Sequence, residues 1–228
     1  MKIFKILHPA IIMPPKFREI HNFVRGRRGF TLLDVGCGNH SPTLTKKYYP
    51  YCKYHGADIA DDYNLNVDDK KLMDNFYLVD TEGGGYENIQ DNYYDVVVMN
   101  HVVEHMKYPI KILSLIVHKV APGGLILIAF PSEKSLSLPS ANIGTLNFSD
   151  DITHIYLPSL NEICNVLLMN GFKIVFAGET KDRLRWIMGF IKNLYNKMLI
   201  PIGMKLSAKY LWYYLGFETS IIAIKRKK

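Results

Sequence analysis

Residues Phe30–Gly38 read Phe-Thr-Leu-Leu-Asp-Val-Gly-Cys-Gly, an apolar run that leads into a glycine turn. The apolar run predicts a buried strand, and glycines at 36 and 38 allow a positive φ and a close approach of a ligand to the backbone. Asp34 precedes the first glycine by two positions, and a second acid, Asp58, ends the next apolar stretch, where ribose hydroxyls need an acceptor. The segment therefore predicts a nucleoside site after the first strand.

The charge pattern around this turn distinguishes between two kinds of nucleoside cofactor. A dinucleotide presents a pyrophosphate, which requires a third glycine at the helix start and no nearby anion. Here Ser41 occupies that place and Asp34 lies just upstream. S-adenosylmethionine carries a sulfonium and an ammonium, so a carboxylate beside the turn favours it. The pattern indicates S-adenosylmethionine, with S-adenosylhomocysteine as its product, and a dehydrogenase is the competing hypothesis.

Four segments, in the same order, resemble the motifs of the class I S-adenosylmethionine-dependent methyltransferases (type 11/23-like, small-molecule branch). These segments are Leu32–Gly38, Phe76–Asp80, Tyr94–His105 and Ala121–Phe130. Three later features are similar to the tail of the branch that includes ubiquinone-type enzymes: His154, Leu157–Leu160 and Asn170–Phe172. The resemblance covers roughly residues 30 to 180.

The resemblance implies an α/β fold: a Rossmann-like, doubly wound, seven-stranded sheet that is mostly parallel, with an antiparallel last strand and helices on both faces. The sequence pattern predicts strands over Phe30–Val35, Tyr54–Asp58, Phe76–Asp80, Tyr94–Met99, Leu125–Phe130, Phe172–Ala177 and Phe217–Lys225. It predicts helices over Lys16–Val24, Ser41–Tyr49, Ile110–Val120 and Leu157–Met169, with Ser41 as a candidate helix cap. The first five strands are continuously apolar, as expected for strands that are covered on both faces.

The predicted domain organisation is a single methyltransferase domain over residues 1–228. It includes an N-terminal helical segment at 1–29 and an aromatic, basic helical insertion or cap at 181–216, before the last strand. Pro201 and Gly203 are expected to divide this insertion into two helices. Three uses of it remain open: core packing over one sheet edge, a substrate-binding cap, or a membrane-surface element whose basic side chains meet lipid headgroups.

Charge is unevenly distributed along the 228 residues, which carry a formal net charge of +7. Residues 1–30 carry +6, residues 31–180 carry −8 and residues 181–228 carry +9. The two ends of the chain are therefore basic and its middle part is acidic. This distribution is typical of proteins that bind a phosphate-bearing, polyanionic or membrane-surface partner. The alternative is that these residues are only solvated faces and a frayed tail.

The apolar content of 48% and charged content of 21% are those of one ordinary globular domain. Cys37, Cys52 and Cys164 have no paired spacing, so neither a disulfide framework nor a zinc site is expected. No apolar stretch reaches the ~18 residues of a spanning helix. The expected location is therefore the cytoplasm, with contact at a membrane surface through 181–216 as the open alternative.

Ten residues are candidates for cofactor binding, all placed at the ends of predicted strands. They are Asp34, Gly36, Cys37, Gly38, Asp58, Ile59, Asp80, Thr81, Asn100 and His101. The resemblance implies that Asp58 meets the ribose, that Ile59 covers an adenine face, and that Asp80 or Thr81 accepts from the adenine amino group. Asn100 and His101 would line the floor under the sulfonium, and Asp34 would stand near the methionine ammonium or only orient the turn.

His154 and His105 are the candidate catalytic residues, because a base near neutral pH can take a proton from a hydroxyl acceptor. Both also admit an architectural role, and Glu104 with His105 is interpreted as a helix start, with no metal expected. The predicted acceptor is a small-molecule, saccharide or lipid-linked hydroxyl. Nucleic acid is disfavoured, because Met99-Asn-His-Val-Val lacks the Pro-Pro-aromatic pattern of amino-directed base methylation. The alternative is a methyltransferase-like binding protein that docks on a membrane or polyanion with little turnover.

Overall fold

A computed structural model of the protein describes residues 13–199, 206–208 and 210–227. Expectations for residues 1–12 and for the break at Pro201 and Gly203 lie outside the described residues. The chain divides into two compact units. The helical unit comprises the described parts of 1–25, 132–152 and 179–218, and the sheet unit comprises those of 26–131, 153–178 and 219–228.

Seven strands form one sheet, in the order β3-β2-β1-β4-β5-β7-β6. The strands are β1 (Thr31–Val35), β2 (Lys53–Asp58), β3 (Asn75–Leu78), β4 (Tyr94–Asn100), β5 (Val120–Pro131), β6 (Phe172–Glu179) and β7 (Glu218–Lys225). Strands β1 to β5 pair in parallel, and β7 is antiparallel, as predicted. The strand order reverses between β1 and β4, and ligands bind at such a reversal, outside the carboxyl ends of the strands.

Seven α-helices accompany the strands within the described residues. They are α1 (Pro15–Val24), α2 (Ser41–Tyr48), α3 (Val67–Leu72), α4 (Pro109–Lys119), α5 (Leu160–Met169), α6 (Arg183–Leu199) and α7 (Trp212–Leu215). Helix α5 begins three residues later than predicted because Pro158 precedes Ser159, whose hydroxyl caps the helix by accepting from the amide of Glu162 at 3.5 Å. The predicted Rossmann-like α/β fold is confirmed.

Two local predictions were wrong, and one helix was not predicted. Ser41 does not cap α2 but is its first residue, and the preceding His40 takes a left-handed conformation with φ of 57°. The fifth strand does not begin at Leu125: β5 begins at Val120 and runs through Ala121–Gly124, with a register shift opposite Tyr94 and Val96. Helix α3 was missed, although Asn66 and Asp69 form a reciprocal capping box at its start.

Burial in the sheet unit differs between the central strands and the edge strand. Four residues of β1 and five of β4 are buried, whereas edge strand β3 has no buried residue, so the expectation of cover on both faces fails there. Helices α4 and α5 pack on each other and contribute Ile112, Ile116, Ile163 and Leu167 to the main core. The parallel pairing of β1 with both β2 and β4 places the carboxyl ends of these three strands side by side.

Candidate active site

The glycine turn after β1 is built by contacts that exclude larger residues. Gly36 has a φ of +74°, and its amide donates to the carbonyl of Ala57 at 2.8 Å. A Cβ on Gly36 would lie 2.7 Å from a methyl of Val102, and one on Gly38 would lie 2.8 Å from the ring of Tyr63. Tyr63 and Val102 therefore cover the turn. Val102 lies within the Tyr94–His105 motif segment, whereas Tyr63 lies in none of the four motif segments.

Asp34 lies beneath this turn and is 2% exposed. Its Oδ2 accepts hydrogen bonds from the Ser41 hydroxyl and, at 2.9 Å, from the Tyr54 hydroxyl. Burial and the Asp34 charge together raise the pKa of Tyr54, so Tyr54 remains a neutral donor. Asp34 thus links the end of β1 to the start of α2, which is the orienting role that the sequence left open.

Asp58 connects the end of β2 to the same turn. Its Oδ2 accepts from the amide of Gly38 at 2.9 Å and its Oδ1 from the amide of Ile59 at 2.8 Å. Burial raises the pKa of this carboxyl above its usual range, although the two amide donors act in the opposite direction. The acid is 8% exposed, so it lies at the boundary between the core and the strand ends.

Cys37 points into the sheet unit. The side chain is fully buried, and a Cβ on Gly56 would lie 2.6 Å from its sulfur. Burial, then the charges of Asp34 and Asp58, raise the pKa of this thiol strongly, so it stays protonated. A cofactor contact by Cys37 would therefore come from its backbone.

The residues predicted to surround adenine lie in different environments. Ile59 is 57% exposed at the end of β2, which suits an apolar cover. Asp80 Oδ1 accepts the amides of Glu82, Gly83 and Gly84 at 2.8, 2.7 and 2.8 Å. Those amides lower the pKa of Asp80 and bind one of its oxygens to its own turn. The carbonyl of Thr81 accepts from the amides of Lys107 and Tyr108, so Thr81 helps to fix the start of α4.

Asn100 and His101 lie at the carboxyl end of β4. Asn100 is the last residue of the strand and is partly buried. His101 takes a φ of 53° and its amide donates to the carbonyl of Ala129 at 2.8 Å. Its Nδ1 lies 3.1 Å from Oε1 of Glu104, so the imidazole is directed at that carboxylate.

The two catalytic candidates, His105 and His154, lie next to each other in the sheet unit, with ring centroids 4.8 Å apart. The carbonyl of Glu104 accepts the amides of Ile155 and Tyr156 at 3.0 and 3.2 Å, which fixes the segment that carries His154. Sequence reasoning proposed each histidine but not their pairing, because no local pattern brings 105 and 154 together.

Thr153 orients the imidazole of His105. The Nδ1 atom of His105 lies 3.1 Å from the carbonyl oxygen of Thr153 and 3.0 Å from its hydroxyl oxygen, so Nδ1 can donate to the carbonyl or accept from the hydroxyl. In the tautomer with the hydrogen on Nδ1, Nε2 has the lone pair and can accept a proton.

Glu104 adds a carboxylate to the histidine pair. It is fully buried, and within the described residues its Oε2 has no hydrogen-bond partner. One potential ligand atom from each of Glu104, His105 and His154 lies within 4.8 Å of the other two. These side chains are the ones that could hold a small cation, although the sequence analysis expected no metal.

The sequence matches the model of a family described as methyltransferase domain over residues 12–176. No curated protein matches the chain by sequence. Among solved structures, the chain is similar to an S-adenosylmethionine-dependent methyltransferase from Archaeoglobus fulgidus, with 21% identity, a TM-score of 0.57, and coverage of 92% of this chain and 91% of that one. A methyltransferase from Mesorhizobium loti has 8% identity and a TM-score of 0.62, with coverage of 94% and 100%.

A third similar structure is phosphoethanolamine N-methyltransferase 2 from Haemonchus contortus in complex with S-adenosyl-L-methionine, at 19% identity and a TM-score of 0.59. The match covers 91% of this chain and 51% of that one, so this chain spans about half of that neighbour. These likenesses support the fold, and the family match covers most of the sequence. The chain belongs to the methyltransferase domain family and is a class I S-adenosylmethionine-dependent methyltransferase.

Proposed function

We propose that the protein methylates a hydroxyl group of a small-molecule, saccharide or lipid-linked acceptor. The proposal depends on one observation: the His105–His154 pair follows a segment that starts against the glycine turn. Val102 contacts Gly36, and His105 comes three residues after Val102. This arrangement supports a proton acceptor close to a cofactor turn, which a neutral hydroxyl needs in order to become an effective nucleophile.

The residues around the turn suit S-adenosylmethionine. Each oxygen of Asp58 holds one backbone amide, and a carboxylate has about four acceptor positions, so capacity remains for ribose hydroxyls. Buried Asp34 and Asp58 provide negative charge for a cationic ligand and disfavour a pyrophosphate. In this proposal Ile59 covers adenine, Asp80 or Thr81 accepts from its amino group, and Asn100 and His101 form the floor.

When bound, the cofactor supplies a methyl group activated on a sulfonium. The protein contributes alignment, exclusion of water and a place for the acceptor proton. We assign that proton to Nε2 of His105 or to the imidazole of His154. In the tautomer that donates from Nδ1 to the carbonyl of Thr153, this contact orients the ring and leaves Nε2 available as the base.

Nitrogen is the competing acceptor atom. The Haemonchus neighbour is an N-methyltransferase, so the fold is compatible with a nitrogen acceptor. A methyltransferase-like binding protein with little turnover is the second candidate, favoured by the exposed apolar face of α6 and its flanking basic residues, described below.

Calorimetry with S-adenosylhomocysteine and with NAD tests the cofactor, and a screen with labelled S-adenosylmethionine against sugar, phenolic and amine acceptors tests the reaction. We expect binding of S-adenosylhomocysteine only, and label transfer to a hydroxyl. Transfer to amines alone would overturn the hydroxyl assignment. Binding of S-adenosylhomocysteine without transfer to any acceptor would favour the binding protein.

A further inference from the structure

Helix α6 in the helical unit has its polar and apolar faces reversed relative to an ordinary surface helix. Eight large apolar side chains of this helix are between 39% and 76% exposed: Leu184, Trp186, Ile187, Phe190, Ile191, Leu194, Tyr195 and Met198. A helix on a globular surface normally turns such residues toward the core. The exposed face of α6 is therefore the apolar one.

The inward face of α6 is made of small and polar residues. Asn196 is 5% exposed, and Gly189 is buried. A Cβ on Gly189 would lie 2.4 Å from the carbonyl oxygen of Tyr210 and 2.6 Å from Cβ of Tyr214. The helix thus packs closely on the Tyr210–Leu215 segment through Gly189, and this contact fixes which face is outward.

Aromatic side chains stiffen this outward face. The rings of Trp186 and Phe190 are stacked 5.8 Å apart with an interplanar angle of 1°, and both meet the ring of Tyr214 edge-on. The exposed aromatics are therefore held in place by neighbours in the same unit, so they form a preformed surface. Trp and Tyr rings with an apolar body and a polar atom suit a membrane interface.

The charges on α6 are all of one sign. Its sequence contains four basic residues and no acid: Arg183, Arg185, Lys192 and Lys197. Arg185 is bound to Asp182 at 3.0 Å, whereas Arg183 and Lys197, near the two ends of the helix, are exposed. Basic residues that flank an apolar helical face are the pattern of helices that lie in the headgroup region of anionic bilayers.

No helix of the described residues is long and apolar enough to cross a bilayer. We propose that α6 docks in the plane of an anionic lipid surface, with Ile187, Ile191 and Leu194 entering the apolar layer and the cations meeting lipid phosphates. A second copy of the chain is a poorer occupant, because a symmetric pairing of this face would bring like charges together. This inference goes beyond the proposed reaction, and its test requires no turnover.

Co-sedimentation of the full chain with vesicles tests the proposal. We expect pelleting with vesicles of phosphatidylcholine and phosphatidylglycerol, weaker pelleting with phosphatidylcholine alone, and release by salt. Ile187→Gln combined with Leu194→Gln should lower the partition coefficient at least ~tenfold. Leu168→Gln combined with Met169→Gln, which changes two exposed apolar residues of α5, is the matched control and should not change it.

A charge variant and a spectroscopic measurement complete the test. Lys197→Gln should weaken binding to anionic vesicles about fivefold, whereas Lys173→Gln on β6 should not. Brominated lipid should quench the tryptophan fluorescence of the wild type, and Trp186→Phe should remove most of that quenching while circular dichroism stays unchanged. Equal pelleting of the wild type and the Ile187/Leu194 variant would overturn the proposal, as would a dimer in light scattering that this variant abolishes.

Discussion

The carboxylate of Asp58 accepts a hydrogen bond from the amide of Gly38 at 2.9 Å, so the acid at the end of β2 is tied to the glycine turn after β1. This contact places a buried negative charge where the ribose is proposed to bind. We therefore expect Asp58 to act on the site in two ways, through the conformation of the turn and through direct binding.

Asp58→Ala should weaken binding of S-adenosylhomocysteine by about tenfold or more, because hydrogen bonds to a charged group contribute roughly 1.5–3 kcal/mol. Calorimetry measures the effect. Asp68→Ala is the control, since Asp68 is exposed and its carboxylate pairs with Lys71 on the surface of α3. An unchanged affinity for Asp58→Ala would show that the ribose binds elsewhere.

The raised pKa of Asp58 predicts the pH dependence of cofactor binding. Because the carboxyl takes up its proton at a higher pH than an ordinary aspartate, affinity for S-adenosylhomocysteine should fall on mild acidification. The raised pKa of Asp58 also affects folding stability, in the opposite direction with pH. Its contribution to the folded state is complete below the unfolded pKa of the carboxyl and is lost as the pH rises through the folded pKa. Asp58→Asn should remove the loss of S-adenosylhomocysteine affinity at low pH. If affinity still falls on acidification in this variant, another group causes that dependence.

His105→Ala and His154→Ala separate the two proton acceptors. Loss of a general base typically costs about 10²- to 10⁴-fold in rate, and we expect this loss in kcat for the residue that takes the acceptor proton. Binding of S-adenosylhomocysteine should be retained in both variants. If both variants keep the wild-type pH–rate profile, neither histidine is the base.

Metal removal tests the alternative use of Glu104, His105 and His154. Dialysis against EDTA should leave the initial rate unchanged, because displacement at a sulfonium needs alignment and a base rather than a Lewis acid. Loss of activity that Mn²⁺ restores in the wild type, but not in Glu104→Gln, would instead make this cluster a cation site.

Asp150 predicts an acid-sensitive element in the helical unit. Burial opposes its charge, but the Ser140 hydroxyl and the amides of Ala141, Leu146 and Asn147 outweigh burial and hold the pKa of Asp150 at about 2. The stabilisation is complete above the ordinary aspartate range and is lost as the pH falls toward that value. Asp150→Asn should raise hydrogen exchange at the Ala141 and Leu146 amides at neutral pH. Unchanged protection would contradict this role.

The sequence alone determined the elements whose signals are local. A buried parallel strand appears in the sequence as an apolar run, and the glycines after β1 mark a turn, so the strand and turn of Phe30–Gly38 could be predicted. The Rossmann-like fold followed from the resemblance of four segments to methyltransferase motifs. Asp58 was identified because an acid at the end of an apolar strand is costly to bury without a purpose, and Asp34 because a carboxylate beside the glycine turn favours a cationic cofactor. Helix α3 carried a capping signal at Asn66 and Asp69, but six largely polar residues give no clear periodicity.

Only the tertiary structure decided which distant residues meet and which faces turn outward. His105 and His154 become neighbours because the backbone of Glu104 binds the amides of Ile155 and Tyr156, a contact that has no local sequence signature. The periodicity of α6 predicts a helix but contains no information about which side Gly189 packs against. Local propensity fixes an element, whereas its orientation depends on the free energy of packing against residues elsewhere in the chain.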